Sequence, residues 1–143
     1  MKSILVGIDF KQNSDLLIDK AIELAEKFNS KIWLLHAAAP EPDFVGYSAG
    51  PQTIRDARAH ELKNENNTLS DYVNRIQDKG IDSIALLIAG PTYETILNEA
   101  TKINADLIIL GHHEHNLFYK VLFGDTAIEV IKKAKIPVML VPC

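Results

Sequence analysis

The sequence has a single cysteine, Cys143, at its last position. This excludes an intrachain disulfide, a CxxC redox pair and any zinc site built on cysteines, and it fits a reducing cytoplasm. An excess of positive charge is missing as well: 15 Lys and Arg stand against 19 Asp and Glu, a formal charge of −4. Nucleic acids and anionic membranes are bound by basic faces that neutralise phosphates, so neither partner is expected. No apolar run reaches the ~18 residues needed to span a bilayer, and MKSILVGIDF enters a strand pattern at once, so neither an anchor nor a targeting segment is expected. Internal repeats and low-complexity segments are also lacking.

What is present is ordinary for a soluble globular protein: 143 residues, 47% hydrophobic and 24% charged. That length predicts one domain, 1–143, able to bury about two-thirds of its unfolded surface without staples. The chain is organised around the stretch from Ala105 to Ile128. Leu107 to Leu110 form an unbroken apolar run ending at Gly111, the pattern of a strand covered on both faces. A polar loop with three histidines follows and closes on Gly124, Asp125 and Thr126. Beyond it Ala127, Val130, Ile131 and Ala134 fall at helical spacing. A loop that leaves a buried strand and ends at a helix N-terminus is the anion-binding geometry of α/β folds.

From the start, Ser3 to Asp9 reads as a central strand with no polar face. Leu17, Ala21, Leu24, Ala25 and Phe28 mark the inner face of a helix capped at Asn13 or Ser14 and stopping near Asn29. Ile32 to Ala37 is a second buried strand, and the short return implies a parallel βαβ crossover. Pro40, Pro42, Gly46, Gly50 and Pro51 punctuate a long loop, in which Phe44 and Tyr47 are candidates for a lid. A long helix is expected from Thr53 to Lys79, with Ile54, Ala57, Leu62, Leu69, Tyr72, Val73 and Ile76 inward, Lys63 to Asn67 exposed and Gly80 as its stop. Ile84 to Ala89 is the third strand, followed by a helix with Ile96, Leu97 and Ala100 inward. After the fourth strand, a last helix from Asp125 to Lys133 leads to a fifth strand, Pro137 to Val141. Five strands alternating with four helices predict an α/β fold with a doubly wound, Rossmann-like parallel sheet, whose ligands bind beyond the strands' carboxyl ends.

ILVGID in the first strand, LLHA in the second, the Gly90-Pro91 turn, ADLIILG, the spaced glycines of the loop and IPVMLVP at the end together resemble the universal stress protein family over nearly the whole chain. The resemblance implies a five-stranded parallel sheet of order 3-2-1-4-5. One subset of that family binds ATP through a loop reading Gly, two residues, Gly, nine residues, Gly, then Ser or Thr. Laid on this sequence, the pattern puts Gly111, Glu114, Gly124 and Asp125 on its four anchor points. The resemblance implies that Gly111 and Gly124 let backbone amides approach phosphates. Asp9 would then lie near the nucleotide or its metal ion; Ala37, at the tip of the second strand, and Thr126, at the start of the last helix, are the further candidate contacts by position. It also implies a homodimer formed by the last strands, for which Val138 and Leu140 are apolar enough.

Two anchor points depart from the pattern. A glycine supplies permissive backbone angles and no side chain, and a Ser or Thr supplies a hydroxyl donor. Glu114 and Asp125 supply neither. At ~4 Å, each carboxylate–phosphate contact costs about 1–4 kcal/mol, so two are on the scale of a micromolar affinity. Asp125 is also placed to cap the last helix and so to supply its own anion. Either Asp125 points away and leaves the amides and the Thr126 hydroxyl to a ligand, or Mg²⁺ bridges Asp9, Asp125 and a phosphate.

His112, His113, Glu114 and His115 form a candidate cluster for a metal or small anion, weighed against a solvated loop. His36, at the end of the second strand, reads as a hydrogen-bonded structural residue because no orienting carboxylate stands beside it in sequence. His60 reads as solvated surface. Leu117 to Phe123 are apolar enough for a short packed helix or a dimer surface. The reading that results is a cytoplasmic, homodimeric regulatory or binding module of stress response with weak or absent ATP binding, rather than an efficient enzyme. The alternative is a Mg²⁺-dependent ATP binder with slow hydrolysis that uses Asp9, Gly111, Gly124 and Thr126. A metal or small-anion sensor acting through the histidine loop is the third reading.

Overall fold

The computed structural model describes residues 1–10, 14–38, 52–112 and 126–142. Among these, five strands alternate with four helices: β1 (Ser3–Gly7), α1 (Ser14–Phe28), β2 (Lys31–Ala38), α2 (Gln52–Gln77), β3 (Ser83–Ala89), α3 (Thr92–Lys102), β4 (Leu107–His112), α4 (Thr126–Lys133) and β5 (Val138–Pro142). All strands are parallel, in the order β3-β2-β1-β4-β5. Each element expected from the apolar patterning is found. The winding goes from β1 outward to β3, then crosses back to β4 and on to β5, so the reversal falls between β1 and β4.

Covering helices explain why the strands are apolar on both faces. Ile4 and Val6 of β1, Ile32 and Leu34 of β2 and Leu107 and Ile109 of β4 pack against Leu17, Ile18, Ala21 and Ala25 of α1 and Leu69 and Ile76 of α2. The alternate residues, Leu5, Leu35, Ile108 and Leu110, pack against Ile96 and Ala100 of α3 and Ala127 and Val130 of α4. Inward positions differ from the expected ones in four places, one of them Glu65, only 16% exposed within the stretch expected to face solvent. Phe28 and Ile131 are 53% and 48% exposed, and Ile18 and Ile22 join the face that Phe28 was expected to share. In α2, Ala57 is exposed and Arg58 is turned inward in its place.

Three of the helices are followed by a residue in the left-handed backbone region, at Asn29 (φ 54°), Gly80 (φ 78°) and Asn104 (φ 51°). Gly and Asn take this conformation at low cost, and it turns the chain back under the helix. After α1 and α3 the turns share one form. Ser30 N–H donates to Ala25 O and Ala105 N–H to Ala100 O, at 3.1 and 2.9 Å, which satisfies carbonyls left open at the helix end. At the amino edge of the sheet, Oδ2 of Asp106 accepts hydrogen bonds from the backbone N–H groups of Lys2 and Ser3 at 2.7 and 3.0 Å. The carboxyl edge is where the sequence placed the ligand site.

Candidate functional site

At the reversal point, Gly7 of β1 is level with Leu110 of β4 and Leu35 of β2. A Cβ on Gly7 would lie 2.6 Å from Cδ2 of Leu110, so a glycine here lets the two strands close over the α3 side of the core. Pairing with β2 runs one residue further, as Ile8 N–H donates to Leu35 O at 2.8 Å. The strand then breaks. Asp9 is exposed, and Phe10 adopts φ 60°. A left-handed backbone at a bulky residue costs on the order of 1–3 kcal/mol and persists where its surroundings hold it. Here the Phe10 side chain packs on the core face shared by α1 and α2.

By strand register, Asp9, Ala37 and the end of β4 share this edge. Ala37 is half-buried and pairs with Ile88, and Gly111 and His112 are half-buried and pair with Val141 and Pro142. Thr126 opens α4 and is half-buried. Because α4 returns the chain between two parallel strands, its N-terminus faces the same edge. Glu114, Gly124 and Asp125 lie outside the described residues, as do His113, His115, Phe44, Tyr47 and the stretch from Leu117 to Phe123. Among the described residues, no group of three or more His, Cys, Asp and Glu side chains is arranged to hold a metal ion.

One arrangement at this edge was not foreseen. His36 Nδ1 lies 2.7 Å from the carbonyl oxygen of Ile8, and its Nε2 lies 3.4 Å from Oε1 of Glu65 on α2. Its ring centroid is 4.4 Å from that of Phe10, at 45° between planes. The two polar side chains are 12% and 16% exposed, so this contact is largely removed from water. His36 is therefore hydrogen-bonded, as expected, but the carboxylate that the sequence did not place beside it is present. The signal was in α2. Leu62, Leu69, Tyr72 and Ile76 form a stripe with alternating spacings of seven, three and four, and Glu65 fills its missing position between Leu62 and Leu69. A polar residue on the inner stripe of a helix must meet a partner, and His36 is that partner.

Elsewhere the electrostatics are structural. Arg75 of α2 reaches Asp15 of α1 through Nη1 at 2.7 Å and Asp19 through Nη2. Burial pushes the neighbouring Tyr72 phenol above its ordinary value, and the Asp15 carboxylate adds to that shift. On α3, Glu99 is nearly buried and its Oε1 accepts a bond from Lys102 Nζ at 2.6 Å. Each of these groups is engaged with a neighbouring side chain, and none is assigned to a ligand.

Comparison with known proteins places this arrangement. The model of the universal stress protein family matches residues 1–142. Universal stress protein A homolog 2 of Coxiella burnetii is 31% identical over 145 residues, covering 98% of this chain and 94% of its own length. A universal stress protein from Archaeoglobus fulgidus, solved in complex with dAMP, superposes with a TM-score of 0.67 at 21% identity, covering 98% of this chain and 97% of its own. A family protein from Arabidopsis thaliana, solved with AMP bound, gives a TM-score of 0.69 at 18% identity, with 99% and 92% covered. At these identities the two solved structures bear on the fold.

Proposed function

The chain belongs to the universal stress protein family, and from that premise we propose that it is a regulatory binding module, one domain over 1–143, with an adenine-nucleotide site at its carboxyl edge. The observation that carries this reading is the convergence of Asp9, Ala37, Gly111 and the N-terminus of α4 at the reversal point between β1 and β4. Structural neighbours carrying dAMP and AMP support the ligand class. In this reading Gly111 and Gly124 admit phosphates to backbone amides, and Thr126 offers its hydroxyl and the amides of the helix start. Glu114 and Asp125 bring like charge to the same phosphates, which makes affinity weak and suits a protein that works through a partner. The module acts in stress response in the cytoplasm, and no described helix is long and apolar enough to cross a membrane. It pairs with a second copy through β5.

A second reading rests on the exposure of Asp9 at the edge. Magnesium is held by one or two carboxylates together with phosphate oxygens and water, so Asp9, with Asp125, fits the ion without a larger cluster. The nucleotide would then be ATP with Mg²⁺, and hydrolysis slow.

Calorimetric titration of ATP and AMP into nucleotide-free protein, with and without Mg²⁺, tests both readings against the double variant Glu114→Gly/Asp125→Ser. The expected result is weak binding by the wild type and at least tenfold tighter binding by the variant, from two repulsive contacts of about 1–4 kcal/mol each. Binding by the wild type only with Mg²⁺ moves the second reading ahead. Silence from both proteins removes the nucleotide site.

A further inference from the structure

His36 touches the residues on both sides of Asp9. Its Nδ1 meets the carbonyl of Ile8 at 2.7 Å and its ring lies 4.4 Å from the Phe10 ring. A carbonyl oxygen only accepts, so Nδ1 carries a hydrogen and donates it. That fixes what Nε2 can do. In a neutral imidazole, Nε2 would turn a lone pair towards Oε1 of Glu65 at 3.4 Å, acceptor against acceptor. The contact is attractive only while a proton lies between the two side chains. The other oxygen of Glu65 is buried with no hydrogen-bond partner among the described residues, and an imidazolium at His36 would be the counter-charge that offsets its burial.

We propose that His36 is a positioning residue for Asp9, and that the one proton it shares with Glu65 ties the placement of the β1 tip to α2, so that ligand binding at the edge weakens when that proton is lost. The proposal rests on the nucleotide reading of the edge, and the residue it adds acts through the backbone of Ile8 and the ring of Phe10 rather than on the ligand. Phe10 explains why a holding residue is needed. Its left-handed backbone would relax if released, and Asp9 would turn with it.

Other charges near β2 are already engaged. On α2, Arg58 and Glu61 pair with each other at 2.8 Å. On α1, Asp15 and Asp19 are held by Arg75, and Glu23 lies between Lys20 and Lys27. β3 presents Leu87 opposite His36 and has no titratable residue, β1 contributes Asp9 itself, and α3 covers the opposite face with its Glu99–Lys102 pair. Lys31, at the far end of β2, pairs with Asp82. Among the described residues, Glu65 is the charged group that meets the ring.

The variants separate the two contacts. Glu65→Gln sets an amide N–H opposite Nε2, which a neutral imidazole can accept, so the contact no longer needs the extra proton. His36→Asn keeps a donor near the Nδ1 position for Ile8 and has nothing to offer Glu65. AMP is titrated into wild type and both variants across pH ~5.5–8.5. The backbone amide resonances of Asp9 and Phe10 are followed over the same range without nucleotide. Titration of the AMP phosphate is common to all three proteins and cancels in the comparison.

In the wild type, affinity is expected to fall about tenfold from the acidic to the alkaline end relative to Glu65→Gln, the effect of losing one charge-assisted hydrogen bond. The Asp9 and Phe10 resonances should move with it. The two variants should keep a constant ratio to each other across the range, with Glu65→Gln near acidic wild type and His36→Asn near alkaline wild type, since it keeps the bond to Ile8 but lacks the tie to Glu65. A Glu65→Gln profile that matches the wild type overturns the proposal, as do Asp9 and Phe10 resonances that stay fixed across the range. If AMP binds none of the proteins at any pH, the nucleotide reading fails and the resonances alone decide the positioning role.

Discussion

Asp106 shows how far one exposed side chain can act when its partners are backbone amides. The N–H groups of Ser3 and Lys2 hold its carboxyl below the ordinary carboxylate range. A carboxylate depressed in the folded state stabilises above its unfolded value, near ~3.9, and loses that contribution as pH falls through the folded one. Thermal unfolding of wild type and Asp106→Asn should therefore differ at neutral pH and converge as pH falls below the ordinary carboxylate range, with wild type the more stable at the upper end. A constant gap would mean that the side chain acts by shape alone. Asp9 could be placed from sequence because a carboxylate closes an apolar strand, and the fold fixes where such strands end. The partnership of His36 with Glu65 joins residues from different elements, and only the stripe of α2 hinted at it. Glu114, Gly124 and Asp125 carry the strongest chemical argument in the sequence but lie outside the described residues, so their role remains a proposal tested by the titration.

Among the elements, α1 and α2 offer a direct contrast between charge and burial. Arg75 forks between Asp15 and Asp19 across the helix pair, yet these side chains are 39%, 72% and 58% exposed. Exposed ion pairs contribute about 0–1 kcal/mol and are screened by salt. Leu69, on the same helix, is fully buried. In urea unfolding, Arg75→Ala should cost less than about 1 kcal/mol at low salt and nearly nothing at 1 M salt. Leu69→Ala should cost about 2–5 kcal/mol at either. Equal losses would show that the fork, and not the stripe, fastens α2. Helix existence and ends were legible because Asn29, Gly80 and Asn104 are residue types that tolerate left-handed turns. Which apolar residues face inward was less so. An apolar residue one position off the stripe obeys nearly the same spacing, as Phe28 and Ile131 do, and packing decides between them.

For the whole molecule, strand count and alternation with helices made the parallel sheet readable, since a parallel pair needs a crossover and a crossover needs a covered face. The order of strands came from resemblance to a family rather than from periodicity, which does not record which strands are neighbours. β5 lies at one edge of that sheet with Leu140 36% exposed, beside Ile128 and Ile131 of α4 at 41% and 48%. An open, apolar strand edge invites pairing with another copy. Light scattering at tens of micromolar should give twice the chain mass for wild type and the single chain mass for Leu140→Lys. A monomeric wild type would sink the dimer. At the other side, Glu65 is level with the end of β2, but α2 begins thirteen residues earlier, at Gln52. At 1.5 Å per residue, that stem is ~20 Å long. Any ligand or partner that approaches Asp9 over β2 and β3 meets that projecting stem.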